Sequence, residues 1–164
     1  MNKLKSKSKN TVFIISIIIV FLLSLVLSLI LYARKDYGTR RTFIFPSVDE
    51  GKYIVETRYL TKNPEKSDIN YYIDELLLGS GTERTRLLFT AGTSNLSCFE
   101  RNGVLYLNLS DTLLKMGDNV IEIEEGADLL AKNVFQNFKE INEIDIFIGS
   151  KFAYKKQKIK TSDK

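Results

Sequence analysis

One cysteine, no histidine and a run of carboxylates are the residues of this 164-residue chain with any capacity for chemistry. Cys98 has no imidazole to draw off its proton, and it lies in a segment that reads as a strand, so a buried, inert thiol is expected. The lack of His also removes the commonest general base and the commonest metal ligand. Serines are plentiful, but there is no G-x-S-x-G turn and no His to complete a triad. Asp118, Glu122, Glu124, Glu125 and Asp128 fall within eleven positions. Closely spaced oxygen ligands of this kind can hold Ca²⁺. The Asp-x-Asp-x-Asp-Gly loop with a Glu at its twelfth position is missing, however, and acids here equally suit the positive end of a helix dipole. Paired carboxylates can hydrolyse glycosides, but no pair can be nominated. The sequence therefore assigns no catalytic, cofactor-binding or metal-ligating residue and implies no cofactor.

Other motifs are weaker. "GSGTERTR" (Gly79–Arg86) has the look of a phosphate loop, but it lacks the G-K-[ST] ending and follows a helical pattern rather than a strand. It reads as a connector in which Arg84 and Arg86 can meet an anionic partner. Asn95 and Asn108 each begin an N-L-S triplet that fits a glycosylation acceptor, and both lie in expected strands. The lysine-rich end, "KKQKIKTSDK", reads as a solvated tail, with anionic lipid or wall polymer as the alternative contact.

The net charge of +4 hides a pattern. Six Lys/Arg and no acid occupy residues 1–35, and six lysines against Asp163 occupy residues 151–164. Between them, residues 42–150 hold ten Lys/Arg against eighteen Asp/Glu, a net charge of −8. Basic ends around an acidic middle argue against nucleic acid as a partner. A single cysteine makes no internal disulfide, so the fold must rest on packing.

Residues 12–33, "VFIISIIIVFLLSLVLSLILYA", contain no charge, no Gly and no Pro. At about 1.5 Å per residue, such a helix crosses a bilayer core. The run is too long for the apolar core of a signal peptide, and Leu31-Tyr32-Ala33 is not a small-x-small cleavage site. An uncleaved single span is expected, with the bilayer as its partner. Lys3, Lys5, Lys7 and Lys9 precede it, whereas Arg34, Lys35, Arg40 and Arg41 follow. The short lysine-rich N-terminal segment places residues 1–11 in the cytoplasm. Residues 34–41 then form a juxtamembrane link, and residues 42–150 form one domain on the extracytoplasmic side of the cell membrane.

Within that domain, Thr42–Phe45 and Lys52–Leu60 read as strands, the second with Tyr53, Val55, Thr57 and Tyr59 on one face. A helix follows, with Asn63 as N-cap, Pro64 in its first turn and Gly79 as its stop. Its buried stripe is Ile69, Tyr72, Ile73, Leu76 and Leu77. Leu87–Phe89 is a core plug or strand fragment. Asn102-Gly103 marks a hairpin between two strand-like runs, with Leu96 and Cys98 on one side of the first. A short turn through Leu113 and Leu114 leads to a second helix over 126–140, with Ala127, Leu130, Ala131, Val134, Phe135 and Phe138 as its stripe. A last strand covers 143–149, and residues 151–164 are expected to be a disordered basic tail. The simplest packing is α+β, with one small mixed sheet and two helices on one of its faces.

This order of elements resembles the GerMN domain, a module named after a bacterial sporulation and germination protein. The residues that carry the resemblance are "TFIFP", "IDELLLG", Gly92-Thr93, "NGVLYLNLS", "AKNVFQNF" and the strand ending at Gly149. Val134 and Asn142 depart from it, where the family often shows Thr and Pro. The resemblance implies an outward-facing envelope protein whose domain is a non-enzymatic binding or assembly module, with envelope proteins or a second copy as partners. A domain that binds peptidoglycan or another wall ligand is the alternative, and a small carboxylate hydrolase is the third reading.

Overall fold

The structure, a computed structural model, describes residues 2–34, 38–49, 51–115 and 117–158. It divides into an N-terminal unit, up to residue 37, and a second unit from Gly38 onward. The first is the helix α1 (Asn2–Ala33), which starts ten residues before the expected span. Its Val12–Ala33 section is 22 residues long, with a mean hydropathy of 3.3 and no side chain buried, and it is long and apolar enough to cross a membrane.

The second unit contains β1 (Thr39–Pro46), β2 (Tyr53–Leu60), α2 (Asp68–Leu77), β3 (Asn95–Arg101), β4 (Val104–Leu109), a 3-10 turn (Asp111–Lys115), α3 (Ile123–Asn137), β5 (Glu143–Ile148) and β6 (Lys151–Gln157). The α+β class is as expected, but the strands form two sheets rather than one. The pair β1-β2 is separate from a four-stranded sheet in the order β3-β4-β5-β6. Only β4 and β5 are parallel, because the chain crosses over through α3 between them. Leu105, Leu107, Leu109, Ile144 and Ile146 point inward from this sheet to a core shared with Tyr72, Ile73 and Leu76 of α2 and Leu130 and Val134 of α3.

Several local boundaries differ from the sequence reading. Helix α2 is capped by Ser67, whose Oγ accepts from the N–H of Asn70, not by Asn63. The Asn63 Oδ1 accepts from Glu65 N–H at 2.9 Å, so Asn63–Lys66 closes a turn of its own before the helix begins. Helix α3 begins and ends three residues early. Gly126 lies inside it rather than at its start, at a position where a Cβ would sit 2.4 Å from the Leu88 carbonyl oxygen. The glycine lets α3 rest on Leu88–Phe89, whose side chains are buried as a core plug, while Leu87 forms an isolated bridge to Val120, so each of the two readings of Leu87–Phe89 holds in part. Leu96 does not share the face of Cys98. A bulge shifts the register between Asn95 and Ser97, and Leu96 is left 55% exposed. The hairpin turn at Asn102-Gly103 forms as expected, with both residues at positive φ.

The expected disordered tail is corrected most. Residues Lys151–Gln157 form β6, antiparallel to β5. Its lysines find acids. Lys155 Nζ is 2.5 Å from Glu143 and 3.7 Å from Asp145, and Lys156 Nζ is 2.7 Å from Asp128. Charge-rich edge strands of this kind are common, since lysines discourage further pairing. Residues 159–164 lie outside the described part.

Candidate interaction surface

Of the residues weighed for chemistry, Cys98 is buried and Asp128 is, among the described residues, the one acid of its cluster held in an ion pair. Cys98 is buried, and that burial, with the Asp74 carboxylate adding to it, pushes the thiol up to about 12. Asp128 accepts from Lys156 and from the Tyr154 hydroxyl, and the Lys156 hydrogen bond is the leading influence that lowers its carboxyl pKa. Glu124 and Glu125 sit in the first turn of α3. Among the described residues, no three His, Cys, Asp or Glu side chains gather closely enough to hold a metal ion. The Gly79–Arg86 loop is a strap across β2. Ser80 and Thr82 donate to Glu56, and Arg84 reaches Asp49 at 3.3 Å. The two acceptor asparagines are also engaged, since the Asn95 amide donates to Asn70 and the Asn108 amide donates to Ser150.

The outer edge of β1 is sealed by side chains. Asn133 of α3, fully buried, accepts from Ile44 N–H at 2.7 Å and donates to Ile44 C=O at 2.9 Å. Four residues on, one helical turn away, Asn137 does the same for Thr42, at 2.8 and 2.7 Å. The primary amide carries one acceptor and one donor side by side, so each asparagine replaces one residue of a neighbouring strand. Arg86 N–H then bonds the Pro46 carbonyl at 2.8 Å, and Val48 N–H bonds the Arg84 carbonyl at 3.1 Å. The Tyr72 hydroxyl closes the cluster on the Thr42 carbonyl at 2.9 Å, and its burial raises its pKa. Asn133 falls in the "AKNVFQNF" segment of the resemblance, but the partnership with Asn137 was missed. The signal for it was an i, i+4 pair of asparagines beside an apolar stripe.

Strand β2 carries its polar residues inward. Arg58 lies over the rings of Phe43 and Phe45, with centroids 4.7 and 5.4 Å away. It pairs with Glu56 at 2.8 Å and donates to the Gly79 carbonyl at 2.7 Å. Burial pushes the Glu56 carboxyl up, but hydrogen bonds from Ser80, Arg58 and Thr82 outweigh it and hold it at about 2. The opposite face, with Tyr53, Val55, Thr57 and Tyr59, is open to solvent, Val55 and Tyr59 by more than 60%.

The four-stranded sheet also has an uncovered side. Both helices pack on its inner face. On the outer face Phe99 stacks on Tyr106 across β3 and β4, with centroids 5.1 Å apart, and Phe147 meets Phe152 edge-on across β5 and β6 at 5.7 Å. Phe99 and Phe152 are more than half exposed. Along α2 lies a groove of about 500 Å³, and a second cavity of about 320 Å³ shares Lys66, Asp74 and Asn95 with it and reaches Asn70. Its Lys66–Asp74 ion pair is 2.5 Å long. The Asn95 Oδ1 at its wall is buried without a hydrogen-bond partner.

No protein-family model and no curated protein sequence matches the chain. Solved structures do. The first GerMN domain of the sporulation protein GerM from Bacillus subtilis is similar at 14% identity, with a TM-score of 0.53, over 71% of this chain and 86% of that one. The tandem GerMN domains of the same protein are 18% identical, with a TM-score of 0.56, over 71% of this chain and 42% of that one. A putative lipoprotein from Clostridium perfringens is 18% identical, with a TM-score of 0.42, over 70% and 77% of the two chains. At such identities the likeness concerns the fold. The α+β domain of this chain, carried behind an apolar helix long enough to span a membrane, has a GerMN-like fold.

Proposed function

We propose that this chain is a single-pass, membrane-anchored, non-enzymatic module whose GerMN-like domain assembles with other proteins on the outer side of the membrane, in a sporulation, germination or channel-associated role of the cell envelope. One observation carries the reading: the outer face of the four-stranded sheet shows two aromatic pairs to solvent where a second layer would ordinarily cover them. The burial of Cys98 and the pairing of Asp128 with Lys156 support a role without catalysis. The test is to isolate the tagged full chain from membranes in mild detergent and measure the mass of its complex. A stoichiometric complex is expected, and Phe99→Ser combined with Phe152→Ser should disperse it while the domain stays folded. A chain recovered as monomer after cross-linking in cells would sink the reading.

A second reading, binding of peptidoglycan or another wall ligand, is favoured by the groove along α2, where the orphaned Asn95 acceptor and the Lys66–Asp74 pair stand beside an apolar wall of Leu77, Leu78 and Leu87. Saturable retention on purified wall sacculi, weakened by Asn70→Ala, would support it. Absence of retention would remove it.

A further inference from the structure

Three edges of the two sheets meet an obstacle to further pairing. That of β1 is filled by Asn133, Asn137 and the 84–86 segment. That of β3 carries a bulge, and the Asn70 amide donates to the Cys98 carbonyl at 3.1 Å. That of β6 carries Lys151, Lys155 and Lys156 and a register shift. The fourth edge, β2, has none of these. Its eight residues pair with β1 in unbroken register and include no Pro, Gly or Lys. Thr42 and Ile44 turn their main-chain groups outward to the asparagines. By the alternation of an antiparallel ladder, their partners Thr57 and Val55 turn theirs to the other side, as does Tyr59. Among the described residues, no group outside the ladder takes these N–H and C=O groups. The same residues display the exposed Tyr-Val-Thr-Tyr stripe.

The surroundings select the occupant. Arg40 stands opposite Tyr59, and Lys132 Nζ lies 5.1 Å from the centre of the Tyr53 ring. Lys52 flanks one end, and Lys62 lies just beyond the other. The one acid of the strand, Glu56, faces inward and is bound by Arg58, Ser80 and Thr82. A second copy pairing its own β2 here would bring the same cations against each other. From this we infer that the β2 edge receives an extended, acidic segment of a partner protein by strand addition. Main-chain hydrogen bonds would supply the affinity, and the basic rim would supply the choice of partner. The inference rests on the assembly reading and adds to its aromatic face a second surface with a stated partner chemistry.

The experiment places a photo-reactive amino acid at Tyr59 or, separately, at Phe152 in the full-length chain, cross-links in cells that make it, and maps the adducts by mass spectrometry. The expected result is a Tyr59 adduct within an acidic, extended stretch of another protein. Thr57→Pro should reduce it tenfold or more, since proline removes an outward N–H that the fold itself does not use. Arg40→Glu combined with Lys132→Glu, which leaves the strand unchanged, should reduce it as much. An adduct to a second copy, an adduct to a basic or helical segment, or a yield that both variants leave unchanged overturns the inference. Adducts from Phe152 alone overturn it while leaving the assembly reading intact. Adducts from neither position end both.

Discussion

The two edges of the β1-β2 sheet carry the same main-chain groups and meet opposite fates. On β1, two asparagines and a loop take up the outward donors and acceptors, and Ile44 is 94% buried. On β2, eleven to fifteen residues further along the chain, Val55, Thr57 and Tyr59 leave theirs to solvent. The difference teaches that an edge strand is not defined by its backbone. It is defined by whether a distant side chain of the right chemistry arrives beside it, and here α3 brings amides to the main chain of one edge, whereas on the other its Lys132 reaches only the Tyr53 ring.

The largest effect should come from breaking the sealed edge. Asn133→Leu leaves the Ile44 N–H and C=O buried without partners, at about 2–6 kcal/mol for two such groups. Urea unfolding of the chain in lipid nanodiscs should show a loss in that range, or outright unfolding. A loss below about 1 kcal/mol would mean that the amide ladder contributes little. Next is hydrogen exchange in the unaltered protein. Amides of Thr42 and Ile44 should exchange on the order of a thousandfold more slowly than those of Val55, Thr57 and Tyr59. Equal rates on both edges would erase the contrast.

The smallest effect concerns the underside of β2. The folded pKa of Glu56, about 2, lies below its ordinary 4.5. A depressed carboxyl contributes stability that is complete above the ordinary value and is lost as pH falls through the folded one. The unfolding midpoint should therefore decline between about pH 5 and pH 2, and Glu56→Gln should flatten that decline. A variant with the same slope as the unaltered chain would show that the strap over Glu56 does not stabilise the ionised form.

Much of this was legible in the residues. The apolar run of 22 residues, the Asn102-Gly103 turn, the return strand with Leu105, Leu107 and Leu109, and the buried stripes of both helices all follow from spacing. Other features were not. Alternation separates Tyr53, Val55, Thr57 and Tyr59 from Ile54, Glu56, Arg58 and Leu60, but it does not say which set is covered. The more polar set turned inward because Arg58 stacks over two phenylalanines and meets Glu56, a satisfied arrangement that only folding assembles. The lysine-rich end reads as a tail by composition, yet Lys151–Gln157 forms β6, where it pairs with β5 and its Lys155 and Lys156 meet Glu143, Asp145 and Asp128.

The sequence alone determined the periodic features: the greasy helix, the turns, the core faces and the lack of an imidazole. These depend on neighbours a few positions away, which the order of residues states directly. Only the tertiary structure decided which edges are closed, where the strands divide into two sheets, and which aromatic faces stay bare. Those outcomes depend on hydrogen bonds between residues nearly ninety positions apart, such as Asn133 and Ile44. No local pattern encodes a contact of that range.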